Sequence, residues 1–326
     1  DPEMSRGLGD VYKRQVRIGG ADFPLRDTEL PTVDRANPYA LSPEEERVMA
    51  QLKAAFLSSE KLQRHARFLY TKGGLYKCYN GNLLYHGCIP MNDDSSFMEF
   101  SIGCEKLAGR AFFDHAEALA RQGYYAPEGS SEKQSGKDFL WFLWCGRNSP
   151  LFGRDHIATF ERALVPDETT WVERKNPYYS YYNDADVCIR ILREFSLEGP
   201  HCHIVNGHVP VKSKDGENPI KAGGRLIVID GGFCRAYHQR TGIAGYTLVY
   251  NSHGLSLRAH QPFETVEKAI KENLDIVSSV DTFETTKTRV LVGDTDNGRK
   301  LAADVEDLKR LVAAYQTGLV KERPEG

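Results

Sequence analysis

Residues 75–90 read LYKCYNGNLLYHGCIP, and this stretch contains the clearest fold signal in the chain. Two short apolar segments, 75–79 and 82–86, flank an Asn-Gly dipeptide, which is typical of a two-residue turn between antiparallel strands. The second strand of this hairpin is predicted to end at His86. The stretch therefore predicts a β-hairpin that carries a histidine into the following loop.

Helical patterns lie on both sides of this hairpin. Residues 42–45 (SPEE) form a capping box with proline at the first helical position, and a second pattern runs from Ser59 to Gly73. Two consecutive helices or one bent helix are expected there. Further helices are predicted over Cys104–Gln122, after Asp184, over 264–277 and over 299–316, the last amphipathic through Leu301, Val305, Leu308 and Val312 and capped by Asp296 or Asn297.

Other short apolar segments predict strands. The aromatic segment Phe139–Cys145 is interpreted as a strand that leads into a loop. The region from Gly199-Pro200 up to about residue 260 is predicted to be mainly β. Residues 16–41 contain three prolines among polar residues, so an extended connecting segment without helix or strand is expected there. The other predicted strands cover 203–206, 225–230, 246–250 and 255–259.

Composition restricts the possible functions. The chain has 326 residues, 40% of them hydrophobic, with 42 Lys plus Arg against 45 Asp plus Glu, which fits one large or two ordinary globular domains. The near-neutral balance argues against nucleic acid as a partner, and the longest apolar run is far too short for a membrane helix. The seven cysteines never show Cys-x-x-Cys spacing, so neither a disulfide framework nor a zinc ribbon is expected, and a cytoplasmic location fits best.

Two histidines stand apart from the other eight. His86 in LLYHGCIP and His208 in IVNGHVP each follow a predicted strand and adjoin a glycine. Loops at strand ends commonly present ligands, and imidazole binds Mn, Zn and Fe. Either histidine alone is more often structural, but the two together, in these contexts, favour a metal site.

These residues carry a resemblance to a known superfamily. HGCIP and NGHVPVKSKDG are similar to the last two metal motifs of the calcineurin-like metallophosphoesterases. Four segments resemble the class III fructose-1,6-bisphosphatases of bacteria. They are WCGRNSPLFGRD, ERKNPYY, NGHVPVKSKDGENPIKAGGRLIVIDGGFCRAYHQRTGIAGYTLVYNSHGL and AHQPF. The resemblance covers most of the chain from about residue 20 onward.

The resemblance implies an α/β fold, part of a layered αββα sandwich with mixed sheets flanked by helices. It also implies a dinuclear centre, commonly containing manganese, in which two ions about 3.5–4 Å apart activate water for attack on a phosphate monoester. His86 and His208 correspond to ligands of one shared metal. A homo-oligomer is a further possibility.

The chain departs from the family pattern in one large respect. The Gly-Asp-x-His, Gly-Asp-x-x-Asp-Arg and Gly-Asn-His motifs, which supply the other ligands and the general acid, are absent. Residues 293–299 (GDTDNGR) echo one of these motifs, but their spacing and order are wrong. We therefore assign no catalytic residue, interpret the chain as the C-terminal part of the enzyme, and expect it to be inactive alone.

Four cations are candidates for binding sugar phosphate, because guanidinium and ammonium groups bind phosphate oxygens well. They are Arg147, Lys212, Arg154 and Lys175. A sugar pocket lined by Tyr178–Tyr182 is an alternative, but such aromatic runs more often belong to a core or an interface. His201 and His203 are expected to share one strand face away from Cys202, which disfavours a zinc cluster, and Cys88 is disfavoured as a nucleophile.

Three segments are distinguished along the chain. Residues 1–15 contain SRGLGDVYKRQ, which resembles translated adapter DNA, so this segment is interpreted as non-native. Residues 16–290 are assigned to the catalytic domain with helical insertions, and 291–326 to a C-terminal helix and charged tail. The expected activity is hydrolysis of the 1-phosphate of fructose 1,6-bisphosphate in gluconeogenesis. Alternatives are a phosphoprotein or nucleotide phosphatase of the superfamily and a non-catalytic regulatory or oligomerisation module.

Overall fold

The computed structural model describes residues 15–27, 31–34, 36–232, 234, 239–261, 265–273 and 278–321. Two predictions lie partly outside this described part. They concern residues 1–14 of the segment interpreted as non-native, and residues 264 and 274–277 of one predicted helix. The strands are β1 (Gln15–Ile18), β2 (Ala21–Pro24), β3 (Tyr76–Tyr79), β4 (Asn82–Tyr85), β5 (Phe100–Ile102), β6 (Glu105–Leu107), β7 (His203–Asn206), β8 (Ile220–Lys221), β9 (Leu226–Val228), β10 (Gly245–Asn251), β11 (Gly254–His260) and β12 (Ser278–Thr285). The helices are α1 (Pro43–Ser58), α2 (Glu60–Lys72), α3 (Gly109–Tyr125), α4 (Ser131–Cys145), α5 (Thr159–Leu164), α6 (Tyr178–Tyr181), α7 (Ala185–Glu194), α8 (Val266–Glu272) and α9 (Asp296–Gln316).

The chain divides into two compact units, of which the first comprises Asp1–Leu75 and Cys88–Tyr179. One apolar cluster of this unit lies between α3 and α4, where Ala116, Ala120 and Leu143 are buried. The two helices approach closely at two glycines: a Cβ atom on Gly123 would lie 2.7 Å from the backbone carbon of Gly136. Only glycine at this crossing lets the helix backbones come so near.

The second unit comprises Tyr76–Gly87 and Ser180–Gly326. Its centre is a five-stranded mixed sheet of order β3-β4-β7-β9-β8. Strand β7 pairs in parallel with both β4 and β9, while β3 and β8 are antiparallel at the two edges. Strands β7 and β9 are buried on both faces, as expected for parallel strands, and α7 packs against β7 through an apolar stripe (Val187, Cys188, Ile191 and Leu192).

The second unit also contains an antiparallel sheet of order β10-β11-β12 and the long helix α9. The start of α9 is fixed by reciprocal hydrogen bonds: the Asn80 amide N–H donates to Asp296 Oδ2 at 2.7 Å, and the Asp296 N–H donates to Asn80 Oδ1 at 2.9 Å. Beyond Gly298 the described part of this helix is exposed on nearly every face.

Several sequence-based predictions are confirmed. The α/β class holds, and the hairpin forms around Asn80 and Gly81, both at positive φ, although its second strand ends at Tyr85 rather than at His86. The capping box of Ser42 and Glu45 begins α1, and α1 and α2 are two separate helices. The α7 helix and the β10–β11 hairpin lie where they were expected.

Other predictions are wrong. Residues 16–41 were expected to form a connecting segment without helix or strand, but β1 and β2 pair as a hairpin, joined by Gly19 and Gly20 at left-handed φ values of 57° and 89°. Phe139–Cys145 is not a strand but the end of α4, because its aromatic side chains pack against α3.

The remaining corrections concern element boundaries. Helix α3 begins at Gly109 rather than Cys104, because 105–107 pair with 100–102 as strands. Thr295, rather than Asp296 or Asn297, caps α9 by accepting a hydrogen bond from Gly298 N–H. Strand β12 lies beyond the predicted end of the β region. In the described residues no helix has both the length and the apolarity needed to cross a membrane.

Candidate metal centre

The two histidines singled out by the sequence lie at the same edge of the central sheet. Strands β4 and β7 are parallel neighbours, with Leu83 paired to Ile204 and Leu84 paired to Val205. Parallel strands present their carboxyl ends at one edge, and ligands commonly bind there. His86 directly follows β4 and His208 comes two residues after β7. The sheet therefore brings together two residues that are 122 positions apart.

The two imidazole rings are in direct contact. Nε2 of His86 lies 3.0 Å from Nδ1 of His208. The ring centroids are 4.9 Å apart and the ring planes meet at 75°. Because the nitrogens face each other, the pair can either share one proton in a hydrogen bond or bind one cation.

The backbone around the pair is held by two hydrogen bonds across the strand ends. The Gly207 N–H donates to the His86 carbonyl oxygen at 3.0 Å, and the buried Asn206 side chain donates to the Gly87 carbonyl oxygen at 2.7 Å. His208 adopts a left-handed φ of 67°, which is uncommon for non-glycine residues although histidine tolerates it better than most. Residues with a strained backbone often cluster at functional sites.

Asp230 is a third polar residue at this edge, and the sequence-based reasoning did not single it out. It follows β9, the next parallel strand, by two residues. Its Cβ atom would lie 3.7 Å from a Cβ atom placed on Gly207, and one of its carboxylate oxygens accepts from Gly232 N–H at 2.9 Å. An acidic residue followed by two glycines at the end of an apolar strand was the signal that could have revealed it.

The environment favours the neutral form of His86. Packing around the ring removes part of its water and lowers the pKa of His86, while the Asp230 carboxylate acts in the opposite direction. Desolvation has the larger effect, so the pKa lies below the ordinary value of 6.5. Neutral imidazole is the form that binds metals, so this residue is available as a ligand at neutral pH.

The nitrogen pair fits two adjacent positions of one metal ion. For metal–nitrogen bonds of about 2.1 Å, a separation like this one corresponds to an angle of about 90° at the ion. The described residues, however, contain no group of three or more His, Cys, Asp or Glu side chains arranged for a metal. The two histidines therefore fit part of a metal site.

Comparison with known sequences places the chain in a family. The family profile described as Firmicute fructose-1,6-bisphosphatase matches residues 8–317. The chain belongs to this family. The resemblance to the class III fructose-1,6-bisphosphatases, stated from WCGRNSPLFGRD and the other long segments, is thereby confirmed. Membership of the metallophosphoesterase superfamily stays a prediction.

Curated members of the fructose-1,6-bisphosphatase family are similar along almost the whole chain. The protein named fructose-1,6-bisphosphatase class 3 of Clostridium acetobutylicum is 52% identical over 307 residues, which cover 94% of this chain and 46% of that protein. Its namesake in Clostridium botulinum strain Hall is 50% identical over 316 residues, covering 97% of this chain and 47% of that protein. The chain thus spans about half the length of these relatives, and no solved structure matches it.

The four candidate phosphate-binding cations lie in different surroundings. Arg154 forms an ion pair with Glu173 at 3.4 Å, and Lys175 lies over the Tyr179 ring at 5.6 Å, so both already have partners in the first unit. Arg147 is exposed in the loop after α4, in the same unit. Lys212 is exposed in the second unit, four residues after His208. Their substrate-binding role stays a prediction.

The other singled-out side chains have structural surroundings. His201 and His203 share one face, as expected: His203 Nε2 lies 2.6 Å from one oxygen of Glu284, and His201 Nδ1 lies 3.2 Å from the other. Tyr178 is fully buried in the first unit. All seven cysteines are free thiols, and burial raises the pKa of the Cys88 thiol far above its ordinary value, which argues against a nucleophile.

Proposed function

We propose that this chain supplies one part of the active site of a fructose-1,6-bisphosphatase. The complete enzyme hydrolyses the 1-phosphate of fructose 1,6-bisphosphate to fructose 6-phosphate and phosphate, a step of gluconeogenesis. Membership of the family supports the substrate. The observation that carries the proposal for this chain is the 3.0 Å approach of His86 Nε2 to His208 Nδ1 at the carboxyl edge of parallel strands.

In this proposal, His86 and His208 hold a divalent cation of a dinuclear centre, with Mn²⁺ as the expected metal. When bound, such a pair of cations polarises the phosphoryl oxygens and lowers the pKa of the attacking water. The chain's own residues bind and orient: the lowered pKa keeps His86 neutral, and the hydrogen bonds from Gly207 and Asn206 fix the loop. Asp230 adds negative charge, which favours a cation at this edge.

We further propose that the site is incomplete within this chain. Two imidazoles are a weak ligand set for Mn²⁺, which prefers oxygen donors and several of them. The described residues offer no third donor arranged with them. We therefore expect weak metal binding and negligible hydrolysis by the 326-residue chain alone, and tight binding and turnover in a full-length family member.

Electron paramagnetic resonance of added Mn²⁺ tests the ligand role without measuring activity, because binding attenuates the signal of the free ion. We expect the chain to bind Mn²⁺ and the variant His208→Gly to lose that binding. His65→Ala, which removes an exposed histidine of α2, is the matched control and is expected to bind as the unmodified chain does. Equal binding by all three proteins would remove the histidine pair from the metal site.

Phosphate release tests the substrate. A full-length family member is compared on fructose 1,6-bisphosphate, a phosphopeptide and a nucleotide. We expect fast phosphate release from fructose 1,6-bisphosphate but not from the phosphopeptide or the nucleotide. Replacing the residue that corresponds to His208 is expected to abolish this release. Faster phosphate release from the phosphopeptide or the nucleotide would contradict the substrate assignment.

Metal content tests the alternative of a non-catalytic module. Binding of less than one metal ion per chain by the full-length protein would favour that alternative.

A further inference from the structure

Helix α9 carries a row of large apolar side chains that nothing in the described structure covers. The row consists of Leu301, Val305, Leu308, Val312 and Tyr315, with exposed fractions between 44% and 61%. Among the described residues, contacts hold the first turn of α9, through Gly298 and the hydrogen bonds between Asn80 and Asp296. An exposed apolar row of this length marks an interaction surface.

The spacing of this row is that of a coiled coil. Successive members are separated by four, three, four and three residues, which is the heptad spacing, in which every first (a) and fourth (d) position is apolar. Val305 and Val312 take the a positions, while Leu301, Leu308 and Tyr315 take the d positions. In parallel coiled coils, β-branched residues at a with leucine at d favour two strands over three or four.

The charges beside the row also fit a parallel pair. In parallel dimers a residue at position g faces the residue five positions further along in the partner, at position e. Asp304 occupies g and Lys309 occupies e, so each Asp304 would face Lys309 of the other copy and attract it. Within one chain Lys309 contacts Glu306 at 2.8 Å, an exposed pair that contributes little and leaves the lysine free to reorient.

From this spacing and charge pattern we infer that α9 is a dimerisation helix, which pairs in parallel with α9 of a second copy of this chain. A two-fold axis along the helix pair makes the interface self-complementary, because the same residues face each other from both copies. The part of the family's length that lies outside this chain is the competing occupant of the row. Packing of that part against α9 would require neither a heptad repeat nor a self-complementary pair of charges, so these two features favour a second copy.

Analytical ultracentrifugation of the 326-residue chain tests the inference. We expect a dimer whose dissociation constant rises at least about tenfold in Leu308→Glu, because the variant buries a charge in the seam. Ala303→Glu places the same charge on the opposite, exposed face of α9 and is expected to leave the dimer intact. Circular dichroism checks that each variant keeps its helix content.

A charge exchange tests the parallel arrangement. Asp304→Lys is expected to weaken the dimer, and the double variant Asp304→Lys/Lys309→Asp is expected to restore it, since attraction returns with the signs reversed. Residues 304 and 309 do not face each other within one helix, so the rescue reports contact between copies. A monomeric unmodified chain, a dimer that survives Leu308→Glu, or a failed rescue would each overturn the inference, and a monomer would favour the competing occupant.

Discussion

The side-chain amide of Asn206 donates a 2.7 Å hydrogen bond to the carbonyl oxygen of Gly87. Asn206 is the last residue of β7, and Gly87 is the residue after His86. The bond therefore ties the loop that presents one histidine to the strand that leads to the other. The histidine pair is held by this buried amide as well as by the sheet.

Replacing Asn206 by Ala is expected to lower the free energy of unfolding by about 1–3 kcal/mol, because the Gly87 carbonyl loses its buried donor. Urea denaturation followed by circular dichroism measures the change. Asn297→Ala removes an exposed amide in the first turn of α9 and should alter the free energy of unfolding by less than about 0.5 kcal/mol. Equal effects of the two substitutions would show that the Asn206 bond contributes nothing.

His208 allows backbone strain to be separated from ligand chemistry. Its φ of 67° is readily adopted by glycine but strained for alanine. We expect His208→Ala to be less stable than His208→Gly by about 1 kcal/mol, although both variants lose the imidazole. Thermal unfolding of the two variants in metal-free buffer compares them. If alanine were as stable as glycine, the left-handed conformation at this position would be excluded.

The cysteines should differ sharply in reactivity. Burial raises the pKa of Cys88 strongly and raises the pKa of Cys188 to about 12, so neither forms appreciable thiolate at pH 8. Iodoacetamide at that pH is expected to modify the exposed Cys104 in the folded chain and to reach Cys88 and Cys188 only after unfolding. Peptide mass spectrometry over time measures each rate. Modification of Cys88 as fast as Cys104 in the folded chain would contradict the predicted burial.

Glu284 joins β12 to β7 through the buried His203. Nδ1 of His203 contacts the Gly224 carbonyl at 2.8 Å, so this nitrogen carries a proton and Nε2 faces the carboxyl group. Glu284→Ala is expected to cost about 1–3 kcal/mol of unfolding free energy, because a buried polar group loses its partner. Glu306→Ala, which removes only an exposed ion pair, should cost less than about 1 kcal/mol. Chemical denaturation of both variants tests this difference.

Local signals explain which parts of the fold could be predicted. The turn at Asn80-Gly81 and the cap at Ser42 depend on residues a few positions apart, and both predictions are confirmed. The segment 139–145 could not be assigned locally, because its conformation depends on packing against α3. Short apolar runs do not distinguish strand from helix without such partners.

The candidate metal centre, like the fold, could be predicted only in part from the sequence. His86 and His208 could be paired because each follows a strand and adjoins glycine, and their approach is what the structure shows. Asp230 was missed because its relevance depends on the order of strands in the sheet, with β9 beside β7, which no nearby residue encodes. The surroundings of Arg154 depend on Glu173, which lies 19 residues further along the chain.

The chain leaves the second unit immediately after Gly87 and re-enters it at Ser180. The register of β4 against β7 is set by main-chain pairing and does not depend on the length of this excursion. A change in the length of residues 88–179 that leaves this pairing intact is therefore expected to leave the distance between the two imidazoles unchanged.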